Sequence, residues 1–167
     1  MISHEGTEGG KRPVRQIWIA ILVVAADRAA KILSFSLPEG GTVWIPGLVG
    51  GRFTRNEGIA FSLFGGRPWL LGALSLAVIL AAWAGLRGKV SGALPRTGLM
   101  LMLGGALGNM TDRFFLGYVP DMIELLFVRF AVFNVADMAL TVGCGLVIFS
   151  LLFRENQDWE WKRKERI

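Results

Sequence analysis

The chain has 167 residues, of which 53% are hydrophobic and 19% are charged, and its mean hydropathy of +0.49 is that of a membrane protein. Its formal net charge of +5 comes mostly from basic residues at the ends of apolar runs, which indicates orientation in a bilayer rather than nucleic-acid binding. Because Cys144 is the only cysteine, no internal disulfide can form, and because the only histidine, His4, lies in a polar tail, histidine-based catalysis is excluded. We expect no metal or other cofactor.

The first apolar run follows a polar tail. Residues 1–15 are polar and end in basic residues, which predicts a disordered cytoplasmic tail. The run over 17–35 is long enough to span a membrane, although Asp27, Arg28 and Lys31 interrupt it. A cleaved signal peptide is an alternative interpretation, but the further apolar runs downstream favour a retained span.

Asp27 and Lys31 are four residues apart, so on a helix they share a face and can form an ion pair. Two interpretations stay open. The pair either neutralises itself near a helix end, with Lys31 reaching outward to the interface, or it shapes a functional site.

The composition changes over 37–66, where prolines and glycines separate short β-prone pieces. This pattern predicts a small sheet or a folded loop outside the membrane, which we call the cradle. At its end, Gly58 would permit a tight turn and Asn56 could hydrogen-bond the backbone, so a structural role is predicted for both. The uncharged run over 69–86 then predicts a second span.

The third span is predicted over 97–113, where Gly104 and Gly108 form a small-xxx-small pair that lets a neighbouring helix approach closely. The connector over 114–131 is amphipathic and rich in Phe and Leu, which predicts a helix or loop lying along the membrane interface. The fourth span is predicted over 132–153. Residues 154–167 are strongly charged, as expected of a second cytoplasmic tail, so 16–153 form a single membrane domain.

The basic residues predict the orientation of this domain. Eleven lysines and arginines lie in the two tails and the loop between the second and third spans, and five lie in the two opposite connectors. Both termini are therefore predicted to be cytoplasmic. This orientation brings six polar side chains to the outer end of the bundle, where a single site is expected. They are Asp27, Asn56, Asp112, Asp121, Asn134 and Asp137.

Inserting a carboxylate at membrane depth costs roughly 2.5 to 3.5 kcal/mol of free energy, so each of these aspartates is expected to have a structural or functional role. Two of them held close share a proton, so that one can activate water while the other protonates an amide carbonyl oxygen. We predict that Asp121 and Asp137 form such a pair, held in place by Lys31, Arg113 or the asparagines. Replacing Lys31 with methionine is then expected to perturb stability or activity less than loss of either aspartate. The structural alternative is an Asp-Arg-Asn network that stabilises a helix junction.

Five blocks of sequence carry a resemblance in their order and spacing. The blocks are Asp27-x-x-x-Lys31, Asn56-Glu57-Gly58-Ile59-Ala60-Phe61-Ser62, Gly104-Gly105-Ala106-Leu107-Gly108-Asn109-x-x-Asp112-Arg113, Gly117-x-Val119-x-Asp121 and Phe133-Asn134-x-Ala136-Asp137. Together they resemble the motifs of bacterial lipoprotein signal peptidase, or signal peptidase II, over nearly all of residues 16–153.

The resemblance implies a mainly α-helical membrane protein with four transmembrane helices and a small periplasmic β-cradle. It implies an aspartic endopeptidase of the bacterial inner membrane. The expected partners are a diacylglyceryl-modified prolipoprotein and membrane lipids, and a monomer is expected. Cleavage would occur just before the lipidated cysteine. Asp121 and Asp137 correspond to the catalytic pair. The supporting or substrate-binding positions are Asp27, Lys31, Asn56, Gly58, Asn109, Asp112, Arg113, Asn134 and Ala136.

The chain departs from that family's usual pattern at four positions. Glu57 stands where a small or hydroxyl residue is usual, Ile59 where alanine is usual, Pro120 where valine is common and Met138 where serine is usual. None of these departures removes a carboxylate, although Pro120 fixes the backbone before Asp121. Two other functions are compatible with buried acids: a small ion-coupled transporter and a non-catalytic membrane assembly factor.

Overall fold

A computed structural model of the chain describes residues 16–58, 68–86, 90 and 92–153. Both predicted tails and Ile59 lie outside the described residues. Four helices and three strands make up the described part. They are α1 (Ile17–Ser34), β1 (Thr42–Ile45), β2 (Val49–Asn56), α2 (Pro68–Leu86), α3 (Ala93–Phe115), β3 (Val119–Leu125) and α4 (Val135–Phe153).

Each predicted apolar run overlaps one of these helices, and the larger differences at the ends have local causes. Helix α3 begins at Ala93 rather than at 97, because Pro95 is compatible with the first turn of a helix, where its missing N–H has no intrahelical partner. Helix α4 begins at Val135 rather than at 132, because the side chain of Asn134 caps it.

Helix α3 is the centre of the bundle and packs against the other three helices. Its glycines permit this. A Cβ on Gly104 would lie 2.8 Å from the carbonyl oxygen of Ala20 in α1, and a Cβ on Gly105 would lie 2.5 Å from that of Ala136 in α4. The predicted close approach at Gly104 is therefore confirmed, and α1 and α4 are held against the same stretch of α3.

Large apolar side chains point away from the bundle on every helix. Ile21 is 62% exposed, Val78 59%, Phe115 84% and Leu152 70%. Such a surface is suited to lipid contact rather than to water. Among the described residues, α4 is the helix that is both long and apolar enough to cross a membrane, with 19 residues and a mean hydropathy of 2.1.

The three strands form one antiparallel sheet in the order β1-β2-β3. Strands β1 and β2 form a hairpin within the cradle, with Gly47 at φ 71° in the turn. Strand β3 pairs with β2 from Val49↔Leu125 to Asn56↔Val119. The sheet therefore places the end of β2 beside the start of β3.

The connector over 114–131 contains a strand, so the prediction of an interfacial helix or loop is wrong for its central part. Gly117, at φ 79°, turns the chain after α3, and Pro120 has no N–H to donate to a helix. Strand β2 offers an edge for pairing that was not visible from local sequence. The residues after Leu125 form a loop that leads to α4.

Candidate active site

The first turn of α4 is held by two residues that cap each other. The backbone N–H of Asp137 donates to Oδ1 of Asn134 (2.9 Å), and the backbone N–H of Asn134 donates to Oδ2 of Asp137 (3.3 Å). This is a capping box in which the third helical residue is an aspartate. It fixes the carboxylate of Asp137 at the helix N-terminus, where a negative charge is stabilised.

Asp121 lies on β3 with 1% of its surface exposed. Its Oδ1 accepts a hydrogen bond from Nδ2 of Asn134 (2.6 Å), and its Oδ2 accepts one from Nδ2 of Asn56 (3.0 Å). Burial raises the pKa of Asp121 from its ordinary value of 3.8 to about 6; the two amide donors oppose this rise, and the charge of Asp137 adds to it.

Asn134 therefore contacts both aspartates. Its side-chain Nδ2 donates to Asp121, and its backbone N–H donates to the carboxylate of Asp137. Asn109, on α3, adds a second link. Its Nδ2 donates to Oδ1 of Asp137 (2.8 Å), and its Oδ1 accepts from Nδ2 of Asn134 (3.2 Å). Both carboxylate oxygens of Asp137 are thus hydrogen-bonded, and the two aspartates lie within one polar network.

The predicted pair of Asp27 and Lys31 is present, with Nζ of Lys31 2.6 Å from Oδ2 of Asp27. Lys31 does not reach outward. It is 1% exposed, lies 2.5 Å from Oδ2 of Asp112, and donates to Oδ1 of Asn109 (2.9 Å). Oδ1 of Asp27 accepts a hydrogen bond from the backbone N–H of Ala136 (2.9 Å). A side chain of α1 thus satisfies a backbone N–H in the first turn of α4 that has no partner within its own helix.

Arg28 was not predicted as a site residue. Its Nη1 lies 2.7 Å from Oδ1 of Asp112, and its side chain is 37% exposed. With Lys31 it supplies two positive charges for the two buried carboxylates of Asp27 and Asp112. A signal for it exists in the sequence, because the first span would carry an unpaired charge if Arg28 had no partner.

Arg113 lies beside the same network. Its charge interacts with Asp137, Asp121 and Asp112, and its Nη1 donates a long hydrogen bond (3.4 Å) to the carbonyl oxygen of Asn109. Its buried Nε has no hydrogen-bond partner within the described ranges. Arg113 therefore has donor capacity left beside both aspartates.

The predicted turn at the end of the cradle is also present. Gly58 adopts φ 71°, and its N–H donates to Oδ1 of Asn56 (2.9 Å), while Nδ2 of the same side chain donates to Asp121. Asn56 thus joins the turn to the site. Of the four departures, Pro120 is buried in β3, and Glu57 and Met138 are exposed.

Comparison with known proteins identifies the family. The sequence model described as Signal peptidase (SPase) II matches residues 19–153. The chain belongs to the signal peptidase II family. It is 38% identical to a lipoprotein signal peptidase of Lactobacillus gasseri, over 88% of this chain and 97% of the relative, and 43% identical to one of Parasynechococcus marenigrum, over 77% and 84%.

Two solved structures described as a bacterial membrane enzyme support the same fold for this signal peptidase II. One, at 1.9 Å resolution, has a TM-score of 0.73 and 30% identity and covers 83% of this chain and 92% of its own. The other, at 2.3 Å, has a TM-score of 0.72 and 28% identity, over 85% and 89%. The predicted family and the predicted aspartic membrane peptidase activity are confirmed.

The packing of α3 against α4 leads to a prediction. Replacing Gly105 with alanine should destabilise this signal peptidase by about 1–3 kcal/mol and lower its activity, because the added methyl group would displace the start of α4 at Ala136. The free energy of unfolding and the turnover rate measure both effects. Gly145→Ala is the matched control, since nothing lies within 4 Å of its added Cβ. Equal stability of the two variants would contradict this packing.

A second prediction concerns pH. The hydrogen bond from Asn56 lowers the pKa of Asp121, so Asn56→Ala should raise this pKa further above about 6. If Asp121 acts in its protonated form, the falling limb of the pH–rate profile moves to higher pH. A profile measured for both proteins tests this. Movement of the rising limb instead would show that Asp121 acts as the base.

Proposed function

We propose that this signal peptidase II removes the signal peptide from prolipoproteins by cleaving just before the diacylglyceryl-modified cysteine, with Asp121 and Asp137 as its catalytic pair. The observation that carries the proposal is the position of Asn134, which hydrogen-bonds both carboxylates in one largely buried network. The curated relatives are named for lipoprotein processing, which supports this substrate class.

The two aspartates have different roles as acid and base in this proposal. Asp121 has the raised pKa, so we assign it the proton. Asp137, whose two carboxylate oxygens accept hydrogen bonds from Asn109 and Asn134, is assigned the role of base. Asp137 takes a proton from water as the oxygen attacks the carbonyl carbon, while Asp121 gives its proton to the carbonyl oxygen. The resulting gem-diol collapses when Asp137 protonates the departing amine and Asp121 recovers its proton.

The other polar residues have positioning roles in this proposal. Asp27 and Lys31 hold the start of α4 and Asn109, and therefore the carboxylate of Asp137. Asp112 balances the charge of Lys31. Arg113 is placed to donate from Nε to a substrate carbonyl oxygen or to the oxyanion that develops there.

All four helices are proposed to cross the membrane, with both termini cytoplasmic and the site at the periplasmic face. The distribution of lysine and arginine supports this orientation. The exposed apolar side chains on each helix support embedding in lipid. A lipidated cysteine is held at the outer leaflet by its acyl chains, so it can reach a site at that depth by lateral diffusion. A monomer suffices for this arrangement, because the described network lies within one chain.

The test uses the purified chain with a diacylglyceryl-modified prolipoprotein. We expect a shift to a shorter product on a gel, with the lipidated cysteine as the new N-terminal residue by mass spectrometry. The same precursor without its diacylglyceryl group is the control and should stay uncut. Cleavage at another bond, or equal cleavage of both precursors, would contradict the proposed substrate.

A further inference from the structure

A groove of about 610 Å³ lies at the end of β3, and none of its lining residues belongs to the hydrogen-bond network of the two aspartates. Its lining combines guanidinium groups with apolar side chains. The lining includes Arg52, Glu124, Leu126, Phe127, Arg129 and Phe130. None of the polar groups among them takes part in the proposed chemistry.

The loop that forms one wall is fixed at both ends. The backbone N–H of Leu126 donates to the carbonyl oxygen of Leu48 (3.0 Å), and the N–H of Phe133 donates to that of Ile123 (3.0 Å). Between these anchors the loop turns its side chains outward. Phe127 is 63% exposed and Phe130 62%, which is unfavourable in water and favourable against lipid.

The charges in the groove do not cancel. Arg52 pairs with Glu124 (2.7 Å), whereas Arg129 is exposed and makes no ion pair with the described residues. The groove therefore has a net charge of one positive unit, which complements the single negative charge of a phosphodiester. Guanidinium groups bind phosphate oxygens in a bidentate way, and exposed phenylalanines beside them fit acyl chains.

We propose that this groove binds an anionic phospholipid, with the phosphate on Arg129 and the first acyl carbons against Phe127 and Phe130. The diacylglyceryl group of the substrate is uncharged, so it does not require the arginine. The loop continues to Asn134, and β3 carries Asp121, so a bound lipid would hold the two elements that carry the proposed catalytic pair.

The experiment measures binding without substrate, so it is independent of the proposed function. The purified full chain in a neutral detergent is titrated with dioleoylphosphatidylglycerol or dioleoylphosphatidylcholine, and bound lipid is counted by native mass spectrometry. We expect phosphatidylglycerol to bind at least about tenfold more tightly than phosphatidylcholine. Arg129→Gln should remove this preference. Arg55→Gln should keep it, since Arg55 lies outside the groove over the ring of Tyr118 (5.0 Å).

Two further measurements test whether the bound molecule is a phospholipid. Phe127→Ser should weaken phosphatidylglycerol binding while keeping the charge preference, because it removes only apolar contact. Inorganic phosphate at the same concentration should not displace the lipid. The proposal is overturned if the two lipids bind equally, if Arg129→Gln keeps the preference, or if phosphate or an acidic soluble peptide displaces the lipid as well as a second lipid does.

Discussion

Replacing either Asp121 or Asp137 with asparagine is expected to lower cleavage of a diacylglyceryl-modified prolipoprotein by at least about a thousand-fold, which is the range of a lost general acid or base. Asparagine keeps the size of the side chain but can neither take nor give the required proton. The initial rate of signal-peptide release by the purified variants measures the loss. Because the two groups act as a unit, the double variant should be little slower than either single one.

Both variants should stay folded. Burial puts the pKa of Asp121 above that of the unfolded chain, so its contribution to stability is complete below about pH 3.8 and is lost as the pH rises through about 6. Asp121→Asn removes this pH-dependent loss, so its Tm should depend less on pH. Glu39→Gln, an exposed acid outside the site, is the control and should leave cleavage unchanged. Normal cleavage by both active-site variants would contradict the assignment.

Replacing Lys31 with methionine is expected to lower the free energy of unfolding by about 3–5 kcal/mol. The change leaves the carboxylates of Asp27 and Asp112 without their shared partner, and both are almost fully buried. From the sequence this change is expected to perturb stability or activity less than loss of either aspartate. The structure raises the expected effect on stability, since Lys31 lies 2.5 Å from a second carboxylate.

Denaturant titration in mixed micelles measures this stability. Arg28→Gln is the matched comparison, because Arg28 contacts the same carboxylate of Asp112 but is 37% exposed, so solvent screens its loss. We expect a clearly smaller effect for this variant. Equal stability of the Lys31 variant and the wild-type protein would show that the buried ion network does not hold the bundle.

Much of the site could be predicted because its residues are unusual for their surroundings. Carboxylates in apolar runs are costly, and the spacing of Asp27 and Lys31 is that of one helix face, so both features are local. The spacing of Asn134 and Asp137 is likewise that of a capping box, although a capping box was not among the predictions from the sequence.

The missed features depend on partners distant in sequence. Strand β3 forms because β2 offers an edge more than sixty residues earlier, as in the pairing of Asn56 with Val119. Arg28 belongs to the site only because α3 brings Asp112 beside α1. Local pattern carries no information about either contact, whereas the apolar runs themselves were sufficient to place all four helices.

We propose that Asp121 and Asp137 act as one electrostatically coupled pair. The most direct test of this coupling is a pH titration of the carboxyl resonances of the enzyme labelled with carbon-13 aspartate, assigned with the Asp121→Asn variant. We expect the carboxyl of Asp121 to titrate near pH 6 and to move to lower pH in Asp137→Asn, because the charge of Asp137 raises its pKa. An Asp121 carboxyl that titrates near its ordinary value of 3.8, or one that is unmoved by Asp137→Asn, would contradict the claim.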